Sequence, residues 1–294
     1  MENKVSKESC VSPPLPPPPP PPQVPYRKTD STNLNDTDSK SNCKMSNECI
    51  ISAVRHLFSD EKLTALISFC KPTIPIIQEG RCCGIVALSM ASQFIQSAPV
   101  QVILEKAKAL NFTKEGELFS AYNMATLASD LLHCDASVVD DVLVHKKDIL
   151  HHICEGWPVL IPYDSDKNHF PCSNKGHSAH WAVITGLCFS VSEKLDLHSL
   201  PYVQKFNDFP ELSLIISKNG SYVKTLLDYA ERIFVYARQG KSKHLAAWDL
   251  NELLASNNNL FEVTKKYSSD QLVLPKSGLS ELRDKAVLLK MRES

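Results

Sequence analysis

The chain has 294 residues, 43% of them apolar, which is enough for one sizeable core with appendages. Lys and Arg number 32 against 33 Asp and Glu, so the formal charge of −1 excludes a global field that would draw in nucleic acid or a membrane surface. Ten cysteines are many for this length, yet Met1 to Cys10 carries charges where a secretory signal needs a continuous apolar stretch.

No apolar run approaches the roughly 18 residues of a spanning segment, and IISAVRHLF is cut by Arg55 and His56. The expectation is a soluble cytoplasmic protein whose thiols are reduced and pack as small hydrophobes. No Cys-x-x-Cys pair occurs, and Cys43 and Cys49 are too far apart to chelate together. Neither a metal nor a cofactor is expected.

Residues 1–46 differ in composition from the rest. Proline dominates from Ser12 to Pro25, and a Ser/Thr/Asn/Asp/Lys stretch follows. Such a segment buries too little apolar surface to offset chain entropy, so it reads as a disordered tail. Its prolines favour polyproline II, which serves either as a spacer or as a ligand for an aromatic groove. Residues 47–294 read as one globular domain.

Within that domain, Ser46 to Phe69 reads as one or two helices. Next comes IIQEGRCCGIVALSMASQFI, Ile76 to Ile95, where two adjacent cysteines precede a helix that is apolar on most faces and therefore central. Pro99 opens a helix over VQVILEKAKAL, and Ser120 caps AYNMATLASDLL. In VHKKDILHHICEGWPVLIPYD, an amphipathic helix stops at Gly156 and Pro158 starts a strand, Val159 to Tyr163. GHSAHWAVITGLCF is a loop followed by a buried strand. Residues 190–228 have weak periodicity and read as an insertion. RIFVYARQG and HLAAW are strands, and DLNELLAS is a short helix. Helices first and strands later indicate an α+β fold.

A thiol attacks as thiolate, and the N-terminus of a helix favours that anion through its free N–H groups and dipole. Cys83, directly before Gly84 and the apolar helix, has that position, and the glycine leaves room for a substrate backbone. Cys82 points elsewhere and reads as a bystander. An upstream amide, Gln78, is placed to help stabilise an oxyanion. The base is expected on a rigid strand from another part of the chain, which selects His180; His177, in the preceding loop, is its competitor. Asp249 is the candidate for orienting the histidine, with Asn207 and Asn257 behind it, although Asp249 equally suits a plain helix cap. RQGKSKH, Arg238 to His244, is the densest basic run, so Arg238, Lys241 and Lys243 are candidate cations for an acidic substrate, with Arg81 and Lys175 flanking the two motifs.

QEGRCCGIVALSMA, GWPVLIPYD, GHSAHWAVITG, ARQGKSKHLAAW and ELLASNNNL together resemble the actin maturation protease family, itself similar to papain-like peptidases of the bacteriocin-processing type. The resemblance runs from about Ile76 to Leu260 and extends to the proline-rich leader. It implies a papain-like cysteine peptidase that removes the acetylated first residue, Met or Cys, from new actin, with Cys83 as nucleophile, His180 as base and Gln78 supporting the oxyanion. It also implies that the leader docks on profilin. A thiol acyltransferase, deamidase or transglutaminase would use the same Cys-His pair, and an adaptor would use only the polyproline.

Overall fold

The computed structural model describes residues 47–59, 65–191, 202–207, 209–216, 220–264 and 272–292. The proline-rich leader lies outside the described residues. The domain is α+β, built on a mixed sheet of nine strands among the described residues.

The first expected helices are only half realised. A helix, α1 over 47–54, runs into a 3-10 turn at Arg55–Ser59, but β1 (Leu66–Cys70) is a strand. Its five apolar or small residues are nearly all buried between neighbours, so no helical stripe was there to find. The central helix α2 (Cys83–Ser92) is buried at every residue from Gly84 to Ser92. Pro99 precedes α3 (Val100–Ala109), and Ser120 caps α4 (Ala121–Leu132) by accepting from the Asn123 N–H at 3.2 Å. Next are β2 (Asp135–Asp140), α5 (Lys146–Cys154), which ends before Gly156 at φ +82°, and β3 (Val159–Asp164).

β4 (Ala179–Val191) is the spine of the sheet. One edge of it pairs first with β3 and then with β1, and the other edge pairs with β7 (Ala230–Gln239). The expected insertion holds β5 (Val203–Phe206), β6 (Phe209–Ile215) and α6 (Gly220–Leu227); β6 joins β1 in the sheet's one parallel pairing among the described residues. β8 (Ala246–Asp249) pairs with β7, α7 (Leu250–Asn258) follows, and β9 (Lys285–Lys290) returns between β2 and β3. The order helices-then-strands is therefore only approximate, since β1 and β2 come early.

Two apolar clusters lie on either side of β4. One packs α2, α3 and α4 against Trp181 and Val183, and the other packs α5 and α7 against Ala182 and Ile184. The alternation along β4 is what allows one strand to serve both layers. The described cysteines are free thiols. Among the described residues no helix is long and apolar enough to cross a membrane, and no cluster of three His, Cys, Asp or Glu is placed to hold a metal.

Candidate active site

Cys82 and Cys83 face different surroundings at the start of α2. Cys82 is the N-cap residue, and its thiol is buried against the loop 113–118, 3.5 Å from the Glu115 carbonyl oxygen. That loop is held by the buried Glu117 carboxylate, which accepts from the Thr113 hydroxyl and the N–H groups of Lys114, Glu115 and Val273. Gly116, at φ +124°, passes so close that an added Cβ would lie 2.3 Å from the Cys82 sulfur. Cys82 is thus fixed as a packing element.

Cys83 turns toward β4, where the backbone N–H groups of Trp181 and Gly84 favour its thiolate form. The donor at Trp181 follows from the strand pairing. Trp181 lies opposite Pro162, which has no N–H, so these two cannot form a hydrogen-bonded pair and the Trp181 amide must point away from β3. On that other side β7 stops at Gln239, opposite Ala182, leaving the edge of β4 open for the thiol. The indole is itself pinned, with Nε1 donating to the Leu118 carbonyl at 2.8 Å. Gly84 is required here: a Cβ would stand 3.1 Å from both the Leu118 Cβ and the Trp181 Cδ1.

His180 is the next residue along β4. It is buried, with its ring edge-on to Tyr163 at 5.8 Å between centroids and 85° between planes. Its Nε2 is buried without a hydrogen-bond partner, and the Gln239 side chain lies near enough to the ring to favour its protonated form. Burial, with the charges of Lys241 and His169 beside it, lowers the imidazole pKa to about 4 against the smaller opposing effect of Gln239. Burial also raises the Cys83 thiol, and the two backbone N–H groups offset only part of that. Near neutral pH the thiol and the imidazole are therefore both neutral, and the imidazole keeps one vacant nitrogen.

The loop leading to His180 is organised by Asp164, which is fully buried. Its carboxylate accepts from the N–H groups of Asn174 at 2.5 Å, Gly176 at 2.8 Å and Ser178 at 3.2 Å. A cavity of about 300 Å³ opens beside His180, with Phe119, His169, Ser178, Lys241 and Val263 in its wall.

The other expected residues are distributed more widely. Gln78 is buried near the turn after β7: its N–H donates to the Gly240 carbonyl at 2.7 Å and its Nε2 to the Gly80 carbonyl at 2.8 Å, leaving one amide hydrogen available. Asp249 is not brought to His180. It pairs with Phe234 of β7, which lies opposite Cys188 on β4. There it caps α7, accepting from the N–H groups of Asn251 and Glu252, and meets Arg232 at 3.4 Å. Asn257 is buried and donates to the carbonyls of Pro162, Leu282 and Lys285, while Asn207 lies exposed between β5 and β6. The residue that touches the imidazole is instead Gln239, at the end of β7. Its alternation with Arg238 marks it as inward-facing, but an amide next to a basic run gives little sign of a role.

His177 is exposed and bonded to Glu262 at 2.9 Å, which leaves His180 as the base candidate. The basic run divides. Lys241 is exposed at the cavity beside His180, Lys243 lines a different cavity, and Arg238 is not on the exposed turn at all but buried at 6% exposure, donating to the Lys243 carbonyl at 2.8 Å. Lys175 pairs with Glu262 at 3.4 Å and Arg81 with Glu115 at 3.5 Å.

Residues 73–188, which carry both Cys83 and His180, match the family model described as actin maturation protease-like, C-terminal domain. An actin maturation protease of Xenopus tropicalis is 36% identical over 216 residues, covering 69% of this chain and 67% of the relative; one of Danio rerio is 34% identical, covering 70% and 68%. A solved structure titled a putative C39-like peptidase from Bacillus anthracis covers 76% of this chain at 12% identity and a TM-score of 0.38, too loose a likeness to carry an argument about the fold. On the strength of the relatives that it matches over two thirds of their length, the chain belongs to the actin maturation protease family.

Proposed function

We propose that the protein is a papain-like cysteine peptidase that removes the acetylated first residue, Met or Cys, from immature actin in the cytoplasm. The substrate is carried over from the names of the relatives. The observation that supports the chemistry is the Cys83 sulfur at the start of α2 facing the backbone N–H of Trp181, the residue directly after His180, whose Nε2 is free.

In this reading the Cys83 sulfur attacks the carbonyl carbon of the acetylated residue while His180 Nε2 takes the thiol proton. The spare hydrogen of Gln78 supports the developing oxyanion. Collapse breaks the C–N bond, and His180 returns the proton to the leaving amine of shortened actin. Water, deprotonated by the same nitrogen, then hydrolyses the thioester and releases the acetylated amino acid. A neutral imidazole suits a general base better than a preformed ion pair, because burial disfavours both charges. The proline-rich leader is proposed to dock on profilin and raise the local concentration of profilin-bound actin.

The test is mass spectrometry of actin N-termini after incubation with the protein. Loss of one acetylated residue, and its absence with Cys83→Ala, is expected. Unprocessed actin, or acyl transfer or deamidation in place of cleavage, would overturn the reading.

A further inference from the structure

The cavity on the far side of the β7–β8 turn has a lining unlike that of the catalytic cleft. It measures about 440 Å³, and its wall combines the apolar side chains of Ile50, Ile74 and Leu245 with three cations, Lys71, Lys243 and Arg238, and no acidic residue among the described residues. Arg238 is the unusual member. It is 6% exposed, one guanidinium nitrogen donates to the Lys243 carbonyl, and its Nε is buried without a partner. A buried guanidinium without a counter-charge is costly, and an unpartnered buried N–H adds to that cost. Ile74, 73% exposed, adds an apolar surface. Arg238 and Gln239 are consecutive on β7 and so face opposite ways: Gln239 reaches His180, and Arg238 reaches this cavity.

We propose that this cavity is a second binding site, for a carboxylate carried on a compact apolar body. The planar fork of Arg238 matches a carboxylate, and the apolar wall takes the body that bears it. The same chemistry is supplied by a free N-acylated amino acid or by an acidic side chain flanked by apolar residues in a peptide. The site stands on Arg238 alone and does not depend on the peptidase chemistry proposed for Cys83.

The test is methyl NMR on the full chain with three probes: N-acetylmethionine, its methyl ester, and an acetylated, amidated peptide containing Leu-Asp-Leu. The acid, the peptide, or both should shift the methyls of Ile74 and Leu245, with affinity at least tenfold weaker in Arg238→Met. The ester should bind at least tenfold more weakly than the acid if the free carboxylate is the source. A response to the peptide alone assigns the source to a polypeptide. The proposal is overturned if neither carboxylate shifts those methyls, if acid and ester shift them alike while the peptide does not, if shifts appear only at Val263 and Leu279 in the catalytic cleft, or if a folded Arg238→Met binds as the wild type does. Should Arg238→Met fail to fold, the acid-to-ester comparison and a peptide with Asn in place of Asp decide on the wild-type protein.

Discussion

The ring of Tyr163 meets His180 edge to face, and its other neighbour is the indole of Trp248, 4.9 Å away between centroids. The imidazole thus lies between Tyr163 of β3, itself backed by Trp248 of β8, and Gln239 of β7. Tyr163→Phe keeps the ring and should retain activity within about threefold. Tyr163→Ala should cost about 3–5 kcal/mol of stability and, at temperatures where it stays folded, lower kcat by roughly 100-fold. Denaturant unfolding and steady-state kinetics on one acetylated peptide check both.

Cys83→Ala should remove activity without unfolding the protein. Cys82→Ala should remain active and lose about 1 kcal/mol, because its thiol only packs against the Gly116 loop. An inactive but folded Cys82→Ala, together with an active Cys83→Ala, would reverse the assignment.

Gly116→Ala should be severely destabilising, since its φ of +124° and the 2.3 Å approach to the Cys82 sulfur act together. Removing that sulfur addresses only the second cause. The double variant Gly116→Ala, Cys82→Ala should therefore recover part of the lost stability in a thermal-melt double-mutant cycle, not all of it.

The pH dependence follows from His180. A folded pKa of about 4 predicts that the acid limb of kcat/KM falls near pH 4 and not near the ordinary 6.5. Gln239→Leu removes a bond that favours the protonated ring, so the limb should move lower while the rate falls by about tenfold or more through lost orientation. For stability the sign is negative: between pH 6.5 and about 4 the unfolded histidine binds a proton that the folded one refuses. That costs about 3 kcal/mol by pH 4, and His180→Leu should flatten this part of the profile. Glu117 adds a separate loss at lower pH. Its burial raises the carboxyl pKa, but the hydrogen bonds from Lys114, Val273 and Glu115 outweigh this and hold it below the usual value. Its contribution is therefore present above the unfolded pKa and disappears as pH falls through the folded one.

Lys241 and Lys243 should separate in kinetics because they line different cavities. Lys241→Glu should lower kcat/KM for an acidic peptide by up to about tenfold, less at high salt, and should move the acid limb toward neutral by removing a positive charge that depresses His180. Lys243→Glu should leave both within about twofold.

Local chemistry made part of this legible in the sequence. Gly84 after Cys83, Ser120 before α4, Gly156 after α5 and the apolar run from Trp181 each carry a signal within a few residues. β1 was hidden because LISFC is buried all along its length and shows neither helical nor alternating period. Asp249 was indistinguishable from a catalytic aspartate at the level of residue type, and only its hydrogen bonds at the α7 N-cap and its contact with Arg232 show where its carboxylate is engaged. Gln239 and Arg238 were obscured by their charged neighbourhood: a run that reads as a solvated turn contains two buried side chains serving opposite faces.

Pro162 acts as a lock on alignment. With Trp181 opposite it, the missing amide falls on a rung where the sheet requires none. Sliding β3 by one residue would place the proline on a rung that needs its N–H and forfeit a ladder bond. The same slip would exchange the faces of every side chain on one strand relative to the other, parting His180 from Tyr163. The imide ring thus ties the placing of the proposed base to a single strand alignment, so that a misaligned sheet would be less stable and would also lack the proposed site.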